Sequence, residues 1–374
     1  MVLEGVELRR IRMPLVAPFV SAHGVEADRD ILLVRACTAD VEGWGECVAL
    51  SQPTYSSEYV DAAHQVIRDH LLPRVLSLAG DGTLNTARAA TAMGEVKGHP
   101  MAKAAVELAL LDAELQEAGT SLAIHLGGVR DTVEAGVSIG IPRSIDELVG
   151  QVEAYVAEGY RRVKLKIQPG WDAEPVRFVR ERLGDGVALQ VDANGSYAMA
   201  DAEHLATLDP FSLLCIEQPL ADDDLLGHAM LAQRIKTPVC LDESITSAHA
   251  AEVAIALAAC SVVNIKAGRV GGYLEARRIH DVCVAAGVAV WCGGMLETGI
   301  GRAANAALAS LPGFSLPGDL SASDRYYRTD LTTPFVLDDG RLRVPTGPGI
   351  GVSPLSDVLA EVTTSVDFVR AERR

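Results

Sequence analysis

Through the middle of the chain, short apolar runs that alternate with polar residues are each followed by a stretch whose apolar residues recur three and four positions apart. This is the signature of strand, loop, helix and return loop, repeated. In Val163-Lys164-Leu165-Lys166-Ile167, three aliphatic side chains fall on one face of a strand and two lysines on the other. The same parity recurs: Val191 precedes Asp192, Ile216 precedes Glu217, Leu241 precedes Asp242 and Ile265 precedes Lys266. The aliphatic face is expected to meet an outer layer of helices, predicted at residues 172–183, 222–235, 247–258 and 273–286. The ionisable face then points inward. An exposed edge strand with lysines in water is the rival reading for one strand, and five strands of equal parity argue against it.

Asp192, Glu217, Asp242 and Lys266 stand 25, 25 and 24 residues apart along the numbering, and Lys166 precedes Asp192 by 26. That step fits one βα unit, so each residue is expected at the same end of successive strands, the layout of a (β/α)8 barrel active site. The pattern predicts a first barrel strand at residues 133–139, a seventh at 288–292 and an eighth at 314–319. Ahead of it lie strand patterns at residues 6–13 and 31–36, the run Gly43-Trp44-Gly45-Glu46, and helix patterns at 57–72 and 101–117, the last closed by Gly119. The expected organisation is an α/β fold: an α+β capping domain over residues 1–130, a TIM-like barrel over 131–325, and a segment, 326–374, returning to the cap.

Three carboxylates converging on one barrel mouth repel one another unless positive charge lies between them. All-oxygen ligation by Asp192, Glu217 and Asp242 favours Mg²⁺ or Mn²⁺ over zinc and leaves coordination positions open. A salt-bridge network with the barrel lysines is the alternative reading of the same residues. Asn194 shares the inward parity of Asp192. Lys164 and Lys166 on the second strand and Lys266 on the sixth approach from opposite sides. A nearby cation and a second lysine are expected to lower their pKa values toward those of a useful base. Two bases on opposite faces of one carbon suit racemisation or elimination, beginning with removal of the proton α to a carboxylate.

Composition narrows the setting. The 374-residue chain is 49% hydrophobic and 22% charged, as expected of a folded globular protein. Its net charge of −17, without an offsetting basic patch, argues against nucleic acid and anionic membrane surfaces as partners. The longest apolar run, residues 253–263, is too short to span a bilayer, and the first residues lack the pattern of a signal peptide. Seven cysteines without C-x-x-C pairing suit a reducing cytoplasm.

Together, Lys164-Leu165-Lys166, Asp192-Ala193-Asn194, Glu217-Gln218-Pro219, Asp242-Glu243-Ser244 and Asn264-Ile265-Lys266 resemble the enolase superfamily, muconate lactonising subgroup. Lys266-Ala267-Gly268-Arg269, Trp291-Cys292-Gly293-Gly294-Met295-Leu296-Glu297-Thr298-Gly299 and Gly318-Asp319-Leu320-Ser321-Ala322-Ser323-Asp324 resemble the o-succinylbenzoate synthase/N-acylamino acid racemase family. The resemblance implies a small carboxylate substrate and Mg²⁺ on Asp192, Glu217 and Asp242. It implies Lys166 and Lys266 as the acid/base pair with Lys164 assisting, and a substrate-covering loop at residues 19–23 that includes Phe19. Asn194, Glu243 and Met295 are supporting positions. Arg269 is a position associated with racemase-competent members, whereas the bland reading makes it a loop arginine in water. Ser138 and the Gly293-Gly294 turn are expected to leave room for an acyl arm. Glu297 is a candidate partner of Arg302 or Lys266. Barrels of this kind often form symmetric homo-oligomers.

Rival activities are separable by residue. A mandelate-type enzyme needs a histidine at the seventh strand end, where Trp291-Cys292-Gly293-Gly294 stands. A dipeptide epimerase carries Asp-x-Asp where Asp319-Leu320-Ser321 stands. Muconate-type cycloisomerisation shares the lysines and metal and stays open. A Schiff-base aldolase using Lys266 leaves the three carboxylates without a task, and a non-catalytic binding or scaffold barrel predicts a lost ligand or lysine where every expected position is filled.

Overall fold

Where the sequence alternates strand with helix, the chain builds a parallel sheet in sequence order. The structure, a computed structural model, describes residues 1–21, 24–79 and 84–371. Seven strands follow one another in the barrel sheet: β5 (Gly136–Ile139), β6 (Arg162–Lys166), β7 (Ala188–Asp192), β8 (Ile216–Glu217), β9 (Val239–Leu241), β10 (Val262–Ile265) and β11 (Ala289–Cys292). Val163, Leu165, Val191, Ile216, Leu241 and Ile265 join one buried core with the surrounding helices, so their faces are those the alternation predicted. Helices at Ala173–Leu183, Leu225–Ala232, Ala248–Ala256 and Tyr273–Ala285 occupy the four expected stretches. Three start on side-chain caps: Asp172 accepts from the Ala173 N–H, Asp224 from the Gly227 N–H and Ser247 from the Ala250 N–H.

Two strand expectations need correction. Residues 314–319 form no regular eighth strand; they close the barrel by isolated parallel bridges, Val290 to Phe314 and Ala135 to Gly318. The Gly318 N–H donates to Glu134 O (3.2 Å) and the Gly136 N–H to Gly318 O (2.6 Å). Pro312 and Pro317 supply no N–H, so a continuous ladder cannot form there. The expected first strand also divides: β4 (Thr132–Glu134) leaves the barrel to pair antiparallel with β12 (Arg341–Arg343).

The capping sheet is antiparallel, in the order β13-β1-β2-β3: β1 is Leu3–Ser21, β2 Gly24–Thr38, β3 Glu42–Cys47 and β13 Thr363–Arg370. The C-terminal segment thus returns to pair with β1, with Gly5 opposite Arg370 and Arg9 opposite Val366. The Pro100–Glu117 helix lies directly on β3. A Cβ on Gly43 would meet Ala109 O at 2.0 Å, and one on Gly45 would meet Ala105 O at 2.0 Å, so the Gly-x-Gly spacing is what lets strand and helix touch. The β1–β2 hairpin then runs beyond the sheet to the barrel: the Val16 N–H donates to Tyr326 O (2.9 Å) and the Ile141 N–H to Val20 O (3.4 Å). Phe19 sits edge-on to Tyr326, with ring centroids 6.5 Å apart. Ala22 and His23, part of the loop expected over substrate, lie outside the described residues. No described helix is long and apolar enough to cross a membrane.

Candidate active site

Strand register sets the site. Lys166 pairs with Asp192 across β6 and β7, and Asp192 with Glu217 across β7 and β8, so three ionisable residues stand at one level. β6 and β10 are four strand positions apart in the sheet order, which puts Lys166 and Lys266 on opposite walls of the closed barrel. Both line one cavity of about 700 Å³ counted out to its mouth, together with Lys164, Asn194, Ser138 and Phe19.

The carboxylates are buried and every one faces a cation. Lys166 Nζ donates to Asp192 Oδ2 (2.6 Å) and to Asn194 Oδ1 (2.6 Å). Lys164 Nζ donates to Glu217 Oε2 (3.0 Å) and lies 3.3 Å from Asp192 Oδ2. Lys266 Nζ donates to Asp242 Oδ2 (2.7 Å) and to the Tyr55 hydroxyl (3.1 Å). Arg269 pairs with Asp242 and donates to Asn264 O (3.0 Å). At 4% exposure, Arg269 is a core residue and not a loop arginine in water.

These partners set the charges. Burial pushes Asp192 up, but Lys166 and Lys164 outweigh it and hold the carboxyl well below its usual range. Burial and the neighbouring Asp192 raise Glu217 despite Lys164. Burial opposes the charged forms of Lys164 and Lys266, yet both ammoniums stand above their usual values: Asp319, Glu217 and Asp192 act on Lys164, and Tyr55, Glu243 and Glu217 on Lys266. The lowering expected for these lysines is therefore reversed at Lys164 and Lys266, because the carboxylates face the ammoniums and favour their charged forms.

The sequence grouped further residues whose places differ. Asn194 Nδ2 donates to Glu243 Oε1 (2.9 Å), so Glu243 orients the amide that Lys166 meets. Ser138 Oγ lines the cavity, is buried, and has no hydrogen-bond partner among the described residues. Gly294 and Met295 line the cavity. Gly293 does not leave room for an acyl arm: a Cβ there would meet Asn264 Oδ1 at 2.2 Å and Lys266 Cγ at 2.7 Å, so its small size lets the Lys266 stem pass. Glu297 pairs with neither expected partner through its carboxylate, which accepts from the Met295 N–H (2.8 Å) and Asn305 Nδ2 (3.0 Å); Arg302 reaches only its backbone carbonyl.

Several site residues were not singled out from the sequence. Gln190 and Asn264 donate to the two oxygens of Glu217, each at 2.8 Å. Both lie two residues before a recognised position, so strand parity alone would have found them. Tyr55 comes from the cap and Asp319 from the irregular closing segment; neither carries a periodic signal.

Asp192, Glu217 and Asp242 form an all-oxygen donor set on successive strands, chemistry that fits Mg²⁺ or Mn²⁺. Among the described residues no group of three or more His, Cys, Asp or Glu side chains is gathered as a cation cage. Lysine and arginine side chains take the inward-facing oxygens instead, as in the salt-bridge reading.

The chain matches two family descriptions: "Mandelate racemase / muconate lactonizing enzyme, N-terminal domain" over residues 5–127, and "Enolase C-terminal domain-like" over residues 147–358. An N-succinylamino acid racemase of Amycolatopsis sp is 60% identical over 365 residues, covering 98% of each chain. An o-succinylbenzoate synthase of Bacillus subtilis is 42% identical, again over 98% of each. The fold superposes on an enolase superfamily member from Listeria innocua with a TM-score of 0.94 at 37% identity over all of both chains. A muconate lactonizing enzyme of Pseudomonas fluorescens gives 0.90 at 26% identity, covering 97% of this chain and 99% of that one. With both halves of the family matched and relatives this similar over nearly the full length, the chain belongs to the enolase superfamily and is one of its enzymes.

Proposed function

We propose that this enzyme removes the proton α to a carboxylate through an enediolate, and that it dehydrates to o-succinylbenzoate, racemises N-succinyl or other N-acyl amino acids, or does both. The observation that carries this reading is the pair Lys166 and Lys266 lining one cavity from opposite barrel walls. A carbon held between them can lose a proton to one amine and receive one from the other on the opposite face, which inverts its configuration. In dehydration the second lysine instead protonates the departing hydroxyl. Lys164 lines the same cavity, and its ammonium would favour negative charge developing on the oxygens of a carboxylate bound there. Asn194, held by Glu243, orients Lys166, and the Tyr55 ring, 4.9 Å from Lys266 Nζ, confines the other amine. Asp192, Glu217 and Asp242 would hold Mg²⁺ or Mn²⁺, which when bound supplies positive charge against the substrate oxygens.

Relatives named N-succinylamino acid racemase or o-succinylbenzoate synthase stand at 60% and 46% identity, against 26% for a muconate lactonizing enzyme, which ranks cycloisomerisation below these two reactions. The seven cysteines, all thiols, fit a reducing compartment. The test is proton NMR of N-succinyl-L-phenylalanine in D₂O with Mg²⁺, following the α-proton signal beside optical rotation. Exchange with loss of rotation supports racemisation. Absence of exchange from active, metal-loaded enzyme removes it and leaves dehydration first.

A further inference from the structure

We infer that Asp319 is a positioning residue for Lys164: with Arg162 and Trp291 it builds a buried seat that fixes where the lysine's ammonium meets the cavity. This assignment rests on the proposed α-proton chemistry for its kinetic consequence, though not for its geometry.

A lysine amine at the end of four methylenes is mobile unless something confines it. Lys164 already has Glu217 and Asp192 as counter-charges. Asp319 nevertheless brings a third carboxylate to the same nitrogen, with Oδ2 at 2.8 Å. Its other oxygen, Oδ1, accepts from Arg162 NH1 at 2.7 Å, and Arg162 is fully buried. Arg162 and Lys164 are two residues apart on β6 and so share its inward face. Both cations lie over the Trp291 ring, its centroid 4.9 Å from the guanidinium carbon and 4.8 Å from the ammonium nitrogen. The indole N–H donates to Cys240 Sγ at 3.4 Å, which fixes the ring plane.

Asp319 is itself pinned, through its N–H to Cys292 O at 2.9 Å, while Arg162 also donates to Pro317 O at 3.0 Å. The irregular segment that closes the barrel is thereby referenced to β6 and β11 at the point where Lys164 enters the cavity. A carboxylate serving only as counter-ion to Arg162 has no need to face the cavity, yet Asp319 and Lys164 both line it.

The experiment is a double-mutant cycle with a crystallographic arm. Asp319→Asn is expected to lower kcat/KM for α-proton exchange of N-succinyl-L-phenylalanine about 10- to 100-fold. Lys164→Met is expected to lower it at least as far, and adding Asp319→Asn to Lys164→Met to cost no more than about twofold further. A double variant whose loss is the product of the two single losses overturns the assignment. Trp291→Leu poses the same question if Asp319→Asn does not fold: its loss must also disappear in the Lys164→Met background. A crystal structure of Asp319→Asn reads the position directly. Lys164 Nζ displaced from the face of Trp291 is the expected result, and an unmoved nitrogen overturns the assignment whatever reaction the enzyme performs. A wild-type enzyme that neither exchanges nor dehydrates refutes the proposed function, and the crystallographic arm then decides the seat by itself.

Discussion

Two groups of buried carboxylates, Asp192 and Asp319 at the barrel mouth and Glu46, Glu107 and Asp112 in and around the cap, have opposite partners and opposite shifts, while Glu217 at the mouth is raised by burial and by the Asp192 beside it. At the barrel mouth, Asp192 and Asp319 face ammonium and guanidinium groups; burial pushes both up, and the cations override it and hold them well below the usual carboxylate range. In and around the cap, Glu46, Glu107 and Asp112 accept chiefly from neutral N–H and O–H groups. Glu46 of β3 takes the Thr298 and Gly301 N–H groups and the Thr298 hydroxyl, so a cap residue closes the N-terminus of the Gly299–Ala309 barrel helix. Glu107 takes the Leu274 N–H at the start of the Tyr273–Ala285 helix, and Asp112 those of Trp44 and Ile350. Burial, with Glu297 adding to it, pushes Glu46 up to about 7; burial pushes Glu107 to about 7 and Asp112 to about 6. Neutral donors compensate a buried carboxylate less than a full positive charge does. The mouth is thus built to manage charge, and the cap joint to hold two layers together.

The largest effect expected from this contrast is metal removal. Dialysis against EDTA should abolish turnover and added Mg²⁺ restore it, while binding also raises the melting midpoint by mass action. Glu46→Gln should show the same Mg²⁺ increment in calorimetry as wild type; a smaller one would tie the cap carboxylate to the mouth. Next, Lys266→Ala or Lys166→Ala should lower kcat for racemisation by about 10² to 10⁴. Each variant should retain α-proton exchange from one enantiomer only, and exchange from both by a single-lysine variant breaks the two-base reading. Glu46→Ala should instead cost about 1–3 kcal/mol of stability, measured by urea unfolding, because it strands buried donors at the helix start. A loss of turnover without loss of stability would reverse the division drawn here.

The smallest effect is the pH slope. Glu46, Glu107 and Asp112 have folded pKa values above the unfolded ones of about 4, so the folded chain binds extra protons. Their stabilisation is complete below pH of about 4 and is lost as pH rises through 6 to 7. The melting midpoint should therefore fall between pH 5.5 and 8, and Glu46→Gln should flatten that fall. Asp192 and Asp319 act oppositely: their contribution is present above the usual carboxylate pKa and lost in acid. A midpoint that rises from pH 5.5 to 8 would contradict the cap assignment.

Much of this was legible in the chain because strands and amphipathic helices announce themselves by period. The parity of Lys164, Lys166, Asp192, Glu217, Asp242 and Lys266 placed them on inward strand faces, since a period of two leaves no other option once one face is apolar. The same parity would have yielded Gln190 and Asn264. The sequence by itself also determined the barrel-and-cap class and, through its motifs, the superfamily. Only the tertiary structure decided what has no period. The barrel closes on residues 314–319 by isolated bridges, because proline breaks the ladder there. Gly293 serves the stem of Lys266, Arg269 is buried against Asp242, Tyr55 reaches in from the cap, and Asp319 seats Lys164. These depend on which side chains meet across segments far apart in the chain, and local propensity carries no information about such a meeting until the backbone has closed around it.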